Sequence, residues 1–489
     1  MSTDEISYGT RLTQLARERG DVADLTFVTV EGAEVEVTYG ELERRANQIA
    51  RLLAGQVGPG GVVAIVLPNS VEHVLTTLAT WKLGGTVMPL RADLPRWELD
   101  KLLELAEPAA VVADEQIGEK GVSLDRLRNS TDQPSEPLPD RISECTQLVA
   151  SSGSTGTPKL IVAPARGVLA GDAQAGLLNT TGDQVTLVVS PLYHVNGFAF
   201  AAPRLLEGSR VVLMERFDAA RAVELIERHQ VTYTVMVPTM LQRIAQLPDI
   251  SAGRLRSLER VVYGGATIPD WVVDRWIELI PPERFMFAYG SSERLAMCAM
   301  TGADWLTHRG ATGRPMDADL KILGPDGREL PTGEVGDVYF KPHEGRPLFR
   351  YLGHEMPAPT EDGYRTVGDV GFVDADGFLT ILDRRHDMIV TGGANVFPAE
   401  VEAALSEHDG LVDQVVVGVE DAEWGHRVHA IVQPRDPSSA PDAVELRAHC
   451  KDRLAAYKVP KSFELVDALP RTAAGKINRT RLAEERRPR

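Results

Sequence analysis

The chain has 489 residues, of which 52 are basic and 70 acidic, giving a formal charge of −18. With 43% hydrophobic and 25% charged residues it has the composition of a globular protein, large enough to bury its core without metal or disulfide staples. That excludes fibrous and largely disordered classes, and the negative field disfavours nucleic acid as a main partner.

Length alone suggests about three domains or subdomains, at roughly 150 residues each. No run approaches the ~18 apolar residues of a membrane span. The acidic start, Met1 to Glu5, lacks the basic and apolar regions of a secretory leader. Cys145, Cys298 and Cys450 are far apart, with no CxxC pattern to hold zinc or a redox centre. Three free thiols fit a reducing cytoplasm, the expected location.

In chain order, Thr38 and Glu41 read as a capping box before the periodic stretch Leu42 to Leu53. Val62 to Leu67 is a continuous apolar run, as in a strand buried on both faces. A helix is expected over Val71 to Leu83 and a strand over Thr86 to Leu90. Asn129 to Asp140, polar and proline-rich, is a connector. The alternation returns with a strand at Val211 to Met214, a helix at Ala219 to His229 and a strand at Val231 to Val237. This rhythm predicts α/β layers with parallel strands.

From Asp319 to Phe340 the pattern becomes short strands with turns, a β-rich subdomain. The last hundred residues predict a smaller α+β unit. Its elements are a helix from Pro398 to about Ser406, strands at Val412 to Val419 and Val428 to Val432, and a helix at Val444 to Leu454. The basic tail Arg486 to Arg489 reads as a frayed end.

The stretch most informative for chemistry is Ser151-Ser152-Gly153-Ser154-Thr155-Gly156-Thr157-Pro158-Lys159, after the apolar Leu148-Val149-Ala150. Glycines let a backbone aim several N–H groups at one anion, hydroxyls add donors and a lysine adds charge. A polyphosphate needs this. Pro158 before Lys159 departs from the Walker A spacing. No Gly-x-Ser-x-Gly spacing offers a hydrolase nucleophile.

At these residues the chain resembles the adenylate-forming superfamily of acyl- and aryl-CoA synthetases, peptide-synthetase adenylation domains and luciferases. The phosphate loop matches at residues 151–159. Further matches follow in order. They are Pro191-Leu192-Tyr193-His194, Gly264-Gly265-Ala266, Tyr289-Gly290-Ser291-Ser292-Glu293, Tyr364 to Asp369, Asp383 to Asp387, and Pro470 to Ile477. The resemblance implies a large N-terminal domain over residues 1–384, a hinge at 385–387 and a small mobile α+β C-terminal domain over 388–489.

The implied reaction is attack of a carboxylate on the α-phosphate of ATP, giving an acyl-adenylate and pyrophosphate, then transfer to a thiol. Positioning and electrostatic stabilisation supply most of such catalysis. By resemblance, Ser151, Ser152, Gly153, Ser154, Thr155, Gly156 and Lys159 hold the β- and γ-phosphates. Glu293 holds Mg²⁺, a hard cation suited to carboxylate and phosphate oxygen. Ser292 bonds the α-phosphate, keeping the hydroxyl of the family's usual Thr. Gly264, Gly265 and Ala266 form the adenine-side loop, Tyr289 stacks on adenine, and Gly290 belongs to the same ATP site. Asp369 and Arg384 meet the ribose, and Lys476 bridges the α-phosphate and the carboxylate. His194 belongs to the acyl pocket, either as a ring that shields the acyl group and changes rotamer between half-reactions or as a core histidine.

Amino-acid-activating relatives carry an Asp in the segment matching 191–198. Here it reads Pro-Leu-Tyr-His-Val-Asn-Gly-Phe, which disfavours an amino-acid substrate. The expected acyl-pocket walls, His194, Val195, Val237, Gly264, Ala266, Ala288 and Met297, are mostly small or apolar and suit a hydrophobic cyclic or aromatic acid. Gly392 and Gly393 resemble the loop lining the pantetheine tunnel of CoA ligases. Trp424, Tyr457 and Lys458 match positions that meet CoA or serve ordinary packing. His386 stands at the hinge, where relatives have Lys or Asp. The chain is most similar to bacterial CoA ligases of the 4-chlorobenzoate and bile-acid type. ATP, Mg²⁺ and CoA are the implied cofactors. An amine or a carrier-protein thiol as acceptor remains open, as does a non-enzymatic binding role.

Overall fold

The structure is a computed structural model describing residues 5–152, 158–162, 165–169, 184–343, 349–421, 423–473 and 475–487. It is an α/β protein with a separate C-terminal sheet. The expected strand–helix rhythm builds its largest layer. Six parallel strands run in the spatial order Ala23–Val28, Arg210–Met214, Val185–Val188, Tyr233–Met236, Arg260–Tyr263 and Phe285–Gly290. Antiparallel strands close both edges, Glu34–Thr38 on one side and Met297–Thr301 with Arg314–Pro315 on the other.

A second parallel sheet holds Thr86–Pro89, Val62–Val66, Ala110–Ala113 and Gly121–Ser123. The helices Tyr39–Leu53 and Val71–Lys82 bury Leu42, Ile49, Leu75 and Leu78 beside strand residues Val63, Ile65 and Leu213, so one core joins both sheets. Such side chains stabilise the fold by about 1.5–3 kcal/mol each when fully buried. Thr38 caps its helix by accepting the Glu41 N–H at 3.2 Å.

Besides the short antiparallel pair Ile6–Ser7 and Val168–Leu169, two antiparallel sheets complete the large unit. One pairs Leu148–Ser152, Pro158–Val162 and Arg350–Leu352. The other holds Ala318–Leu323, Gly336–Pro342, Asp369–Val373 and Leu379–Arg384, the expected β-rich subdomain.

The C-terminal sheet comprises Ala394–Val396, Ile389–Thr391, Gly425–Pro434, Leu411–Asp421 and, parallel to the long central strand, Ser462–Leu465. The helices Pro398–Ser406 and Ala443–Lys451 cover it. Val401, Leu405, Val416, Ala430 and Leu446 form its own core. The central hairpin strands outrun the sequence reading because their ladder continues to the turn, where Asp421 pairs Gly425.

The frayed tail is corrected. Arg486 donates to both oxygens of Glu464, at 2.6 and 2.8 Å, and Leu482 four residues earlier is buried. A bidentate charge-assisted pair holds that end on the sheet.

Candidate active site

The hairpin of Leu148–Ser152 and Pro158–Val162 sets Ser151 opposite Lys159 and Ser152 opposite Pro158. The anion-loop residues Gly153, Ser154, Thr155 and Gly156 lie outside the described residues. Lys159 reaches across to Glu293, Nζ to Oε1 3.4 Å, although 134 residues separate them in sequence. Glu293 is buried, 8% exposed. It sits in a turn closed by the Arg294 N–H bonding the Ser291 carbonyl at 2.9 Å, with Arg294 at φ +53°. Burial works to raise the Glu293 pKa, but a hydrogen bond from Tyr351 and the charge of Lys159 outweigh it, and the net shift is downward. Ser292 is partly exposed in the same turn.

Tyr289, Asp369 and Arg384 also converge. The ladder pairs Asp369 with Arg384, and Arg384 Nε stands 3.5 Å from Asp369 Oδ1. The Tyr289 hydroxyl donates to Asp369 Oδ2. Burial first, and the adjacent carboxylate second, hold the Tyr289 phenol well above its usual range. Sequence reasoning assigned Tyr289 and Asp369 separately. The structure makes them one unit, and the adenine-side loop follows the strand Arg260–Tyr263 that pairs with Phe285–Gly290. That loop needs its first glycine, since a Cβ on Gly264 would lie 2.5 Å from the Ala288 carbonyl oxygen, while Gly265 takes φ +98°. Gly290 and Ala266 are exposed at the same end of the sheet.

His194 is partly buried and tilted against Tyr193, ring centroids 4.4 Å apart. Its Nε2 is buried with no partner among the described residues. Burial, then the charges of Lys476 and Arg91, push its pKa down to about 3, so it is neutral at neutral pH. Val195, Val237, Ala288 and Met297 are each partly exposed. They add no charge to the pocket.

The C-terminal unit meets the large one here. A Cβ on Gly475, at φ +73°, would lie 2.6 Å from Thr239 Oγ1, so backbone approaches side chain as closely as glycine allows. Thr472 lies beside the Tyr193 hydroxyl, and Trp271 Nε1 donates to Ser406 Oγ at 3.2 Å. Lys476 is exposed to the solvent of the cleft. Surrounding protein, then Arg384, lower its pKa, with Glu293 opposing. One lysine thus acts electrostatically on His194, Arg384 and Glu293.

Around the expected hinge, His386 is exposed, with Nε2 3.7 Å from Asp387 Oδ1. Asp383 Oδ2 accepts the Ala399 N–H at 3.2 Å, at the first turn of the helix Pro398–Ser406, whose own N-cap residue supplies no side-chain bond. Gly392, at φ +55°, leaves a Cβ only 2.6 Å from Trp424 Cε3, and its N–H bonds the Trp424 carbonyl. Gly393 has φ +82°. Trp424 and Tyr457 are 40% and 46% exposed. Lys458 is paired with Glu400. The contacts described for these acceptor-side residues stay within the C-terminal unit.

The comparisons decide the family. Residues 13–344 match the AMP-binding enzyme family, and residues 400–476 match the AMP-binding enzyme C-terminal domain. The chain belongs to the AMP-binding enzymes. Among members of this family it is 34% identical to a feruloyl-CoA synthase of an Amycolatopsis species, over 90% of this chain and 92% of that one. It is 30% identical to a 2-succinylbenzoate–CoA ligase of Bacillus licheniformis, covering 95% and 98%. An o-succinylbenzoate CoA synthetase of Bacillus subtilis, solved with its acyl-adenylate intermediate, superposes with a TM-score of 0.81 at 28% identity, covering 99% and 100%. Within this AMP-binding enzyme no described helix is long and apolar enough to cross a membrane.

Among the described residues no group of three or more His, Cys, Asp and Glu could by itself enclose a metal. Glu293, buried and ionised beside Lys159, fits instead a Mg²⁺ that takes one protein carboxylate and completes its shell with phosphate oxygens and water.

Proposed function

We propose that this AMP-binding enzyme activates a hydrophobic, cyclic or aromatic carboxylic acid with ATP and passes the acyl group to CoA. In the first step a carboxylate oxygen bonds the α-phosphorus of ATP and the bond to the β-phosphate bridging oxygen breaks, releasing pyrophosphate. In the second, the CoA sulfur, as thiolate, bonds the acyl carbon and AMP leaves with the old C–O electron pair. The observation that carries this reading is the docking of the Lys476 loop on the large unit, with Gly475 seated against Thr239 and Lys476 within electrostatic reach of Glu293, Arg384 and His194.

In this reading Ser151, Ser152, Lys159 and the intervening loop bind the β- and γ-phosphates, and Ser292 bonds the α-phosphate. The Tyr289–Asp369–Arg384 unit binds adenosine, with Asp369 accepting from the ribose hydroxyls by its remaining lone pairs. Lys476 neutralises charge shared between the attacking carboxylate and the α-phosphate. Bound Mg²⁺ at Glu293 would offset phosphate charge. The neutral His194 and the uncharged walls Val195, Val237, Gly264, Ala266, Ala288 and Met297 favour an uncharged acyl body, as the ring-bearing acids named for the relatives also suggest. Gly392, Gly393, Trp424, Tyr457 and Lys458 would meet CoA after the C-terminal domain, residues 388–489, turns about the 385–387 hinge at His386. Three cysteines outside any disulfide suit a cytoplasmic enzyme.

The test is a panel of carboxylic acids read by pyrophosphate release with and without CoA, with product mass recorded. Aromatic acids should give the CoA thioester. A product formed only with an amine or a carrier-protein thiol would replace the acceptor, and no pyrophosphate with any acid would remove the reading.

A further inference from the structure

Tyr351 lies outside every motif of the sequence reading, yet it touches two of the site's charged groups. It sits on the short strand Arg350–Leu352, which pairs antiparallel with Pro158–Val162 and sets Tyr351 opposite Ile161. Side chains two apart on a strand share a face, and diagonal cross-strand neighbours lie within reach of an aromatic ring. Lys159 is two residues before Ile161, so the ladder itself brings the Lys159 ammonium over the Tyr351 ring, 4.1 Å from its centroid. The same phenol donates to Glu293 Oε1 at 2.8 Å. Lys159 approaches that same oxygen at 3.4 Å. Both side-chain contacts therefore fall on Oε1 and fix the rotation of the carboxylate.

We infer that Tyr351 is a positioning residue for the metal–nucleotide site: its hydroxyl clamps Oε1 of Glu293 so that Oε2 is presented to Mg²⁺, and its ring holds Lys159 extended toward the phosphates. The inference rests on the ATP-dependent reading above. Lys159 and Glu293 are already an ion pair at 3.4 Å, and Tyr351 holds both of its members in place. The phenol satisfies the carboxylate with a neutral donor, and the ring face satisfies the ammonium without consuming it. Both groups are then ordered in advance, and binding does not have to supply that ordering. The two functions of the side chain can be separated chemically, because phenylalanine keeps the ring and leucine keeps neither.

The experiment titrates the full-length protein with ATP alone by calorimetry, then titrates the protein–ATP complex with Mn²⁺ by electron paramagnetic resonance. Tyr351→Phe should weaken Mn²⁺ binding to that complex about tenfold, the size of one lost hydrogen bond to a charged group, with metal-free ATP affinity changed less than twofold. Tyr351→Leu should lose Mn²⁺ affinity and also weaken metal-free ATP binding by about threefold to tenfold. An unchanged melting temperature in Tyr351→Phe separates positioning from folding. Wild-type Mn²⁺ affinity in Tyr351→Phe, in a protein that binds ATP normally, overturns the role of Tyr351 alone. Failure of the wild-type chain to bind ATP overturns this inference together with the function it rests on.

Discussion

Replacing Gly475 by alanine perturbs the point where the Lys476 loop meets the large domain. Two costs add. The backbone there has φ +73°, a left-handed conformation that costs an L side chain roughly 1–2 kcal/mol. The new Cβ would also stand 2.6 Å from Thr239 Oγ1. Thr239 is in the first turn of the helix Pro238–Ala245, where a threonine has few alternative rotamers, and moving it off a well costs about 0.5–1.5 kcal/mol. The docked loop should lose about 2–3 kcal/mol in Gly475→Ala, roughly 30–150-fold in the rate of adenylate formation. Single-turnover assays should find transfer from a supplied acyl-adenylate to CoA changed by less than about threefold, because that step does not need Lys476 in the cleft. Adding Thr239→Ala should recover the steric share, about fivefold, and leave the backbone share. Wild-type adenylation in Gly475→Ala would refute the reasoning, as would equal loss in both half-reactions or a double mutant no better than the single.

Two further outcomes are expected. Asp369→Ala should cost about 1.5–3 kcal/mol of ATP affinity by calorimetry, and Tyr289→Phe, which only frees Asp369 Oδ2, should cost less than that. His194 has a folded pKa near 3 against about 6.5 in the unfolded chain. The unfolded state therefore takes up its proton first, and stability is lost as pH falls from about 6.5 toward about 3. The melting temperature of His194→Phe relative to wild type should rise across that window and be flat above it.

Elements governed by local chemistry were legible in the sequence. Ala219–His229 follows Asp218, whose carboxylate accepts the Arg221 N–H, and Pro398–Ser406 begins on its proline, so both helices match their expected bounds. The apolar run at Val62–Val66 became a central parallel strand because only burial on both faces tolerates it. Residues carried by contiguous motifs do come together in the fold, Lys159 with Glu293, and Asp369 with Arg384 and Tyr289.

What the sequence hid depends on partners far along the chain. Tyr351 acquires meaning only when its strand pairs with one some 190 residues earlier, placing it over Lys159. The Tyr289–Asp369 bond likewise joins positions that sequence order keeps apart. Asp383 reads only as the first residue of its motif until its carboxylate is seen at the start of the helix Pro398–Ser406. Arg486 looked like a frayed end because its anchor, Glu464, lies on another strand.

The central claim is that the cleft holding Lys476 beside Glu293 and Arg384 forms an acyl-adenylate. Acid-dependent exchange of labelled pyrophosphate into ATP, without CoA, tests it most directly when wild type and Lys476→Ala are compared at equal nucleotide occupancy. The account predicts exchange with an aromatic acid in the wild type and a fall of ~10²–10³ in Lys476→Ala. Exchange at the wild-type rate in Lys476→Ala, or none in the wild type with any acid, would contradict it.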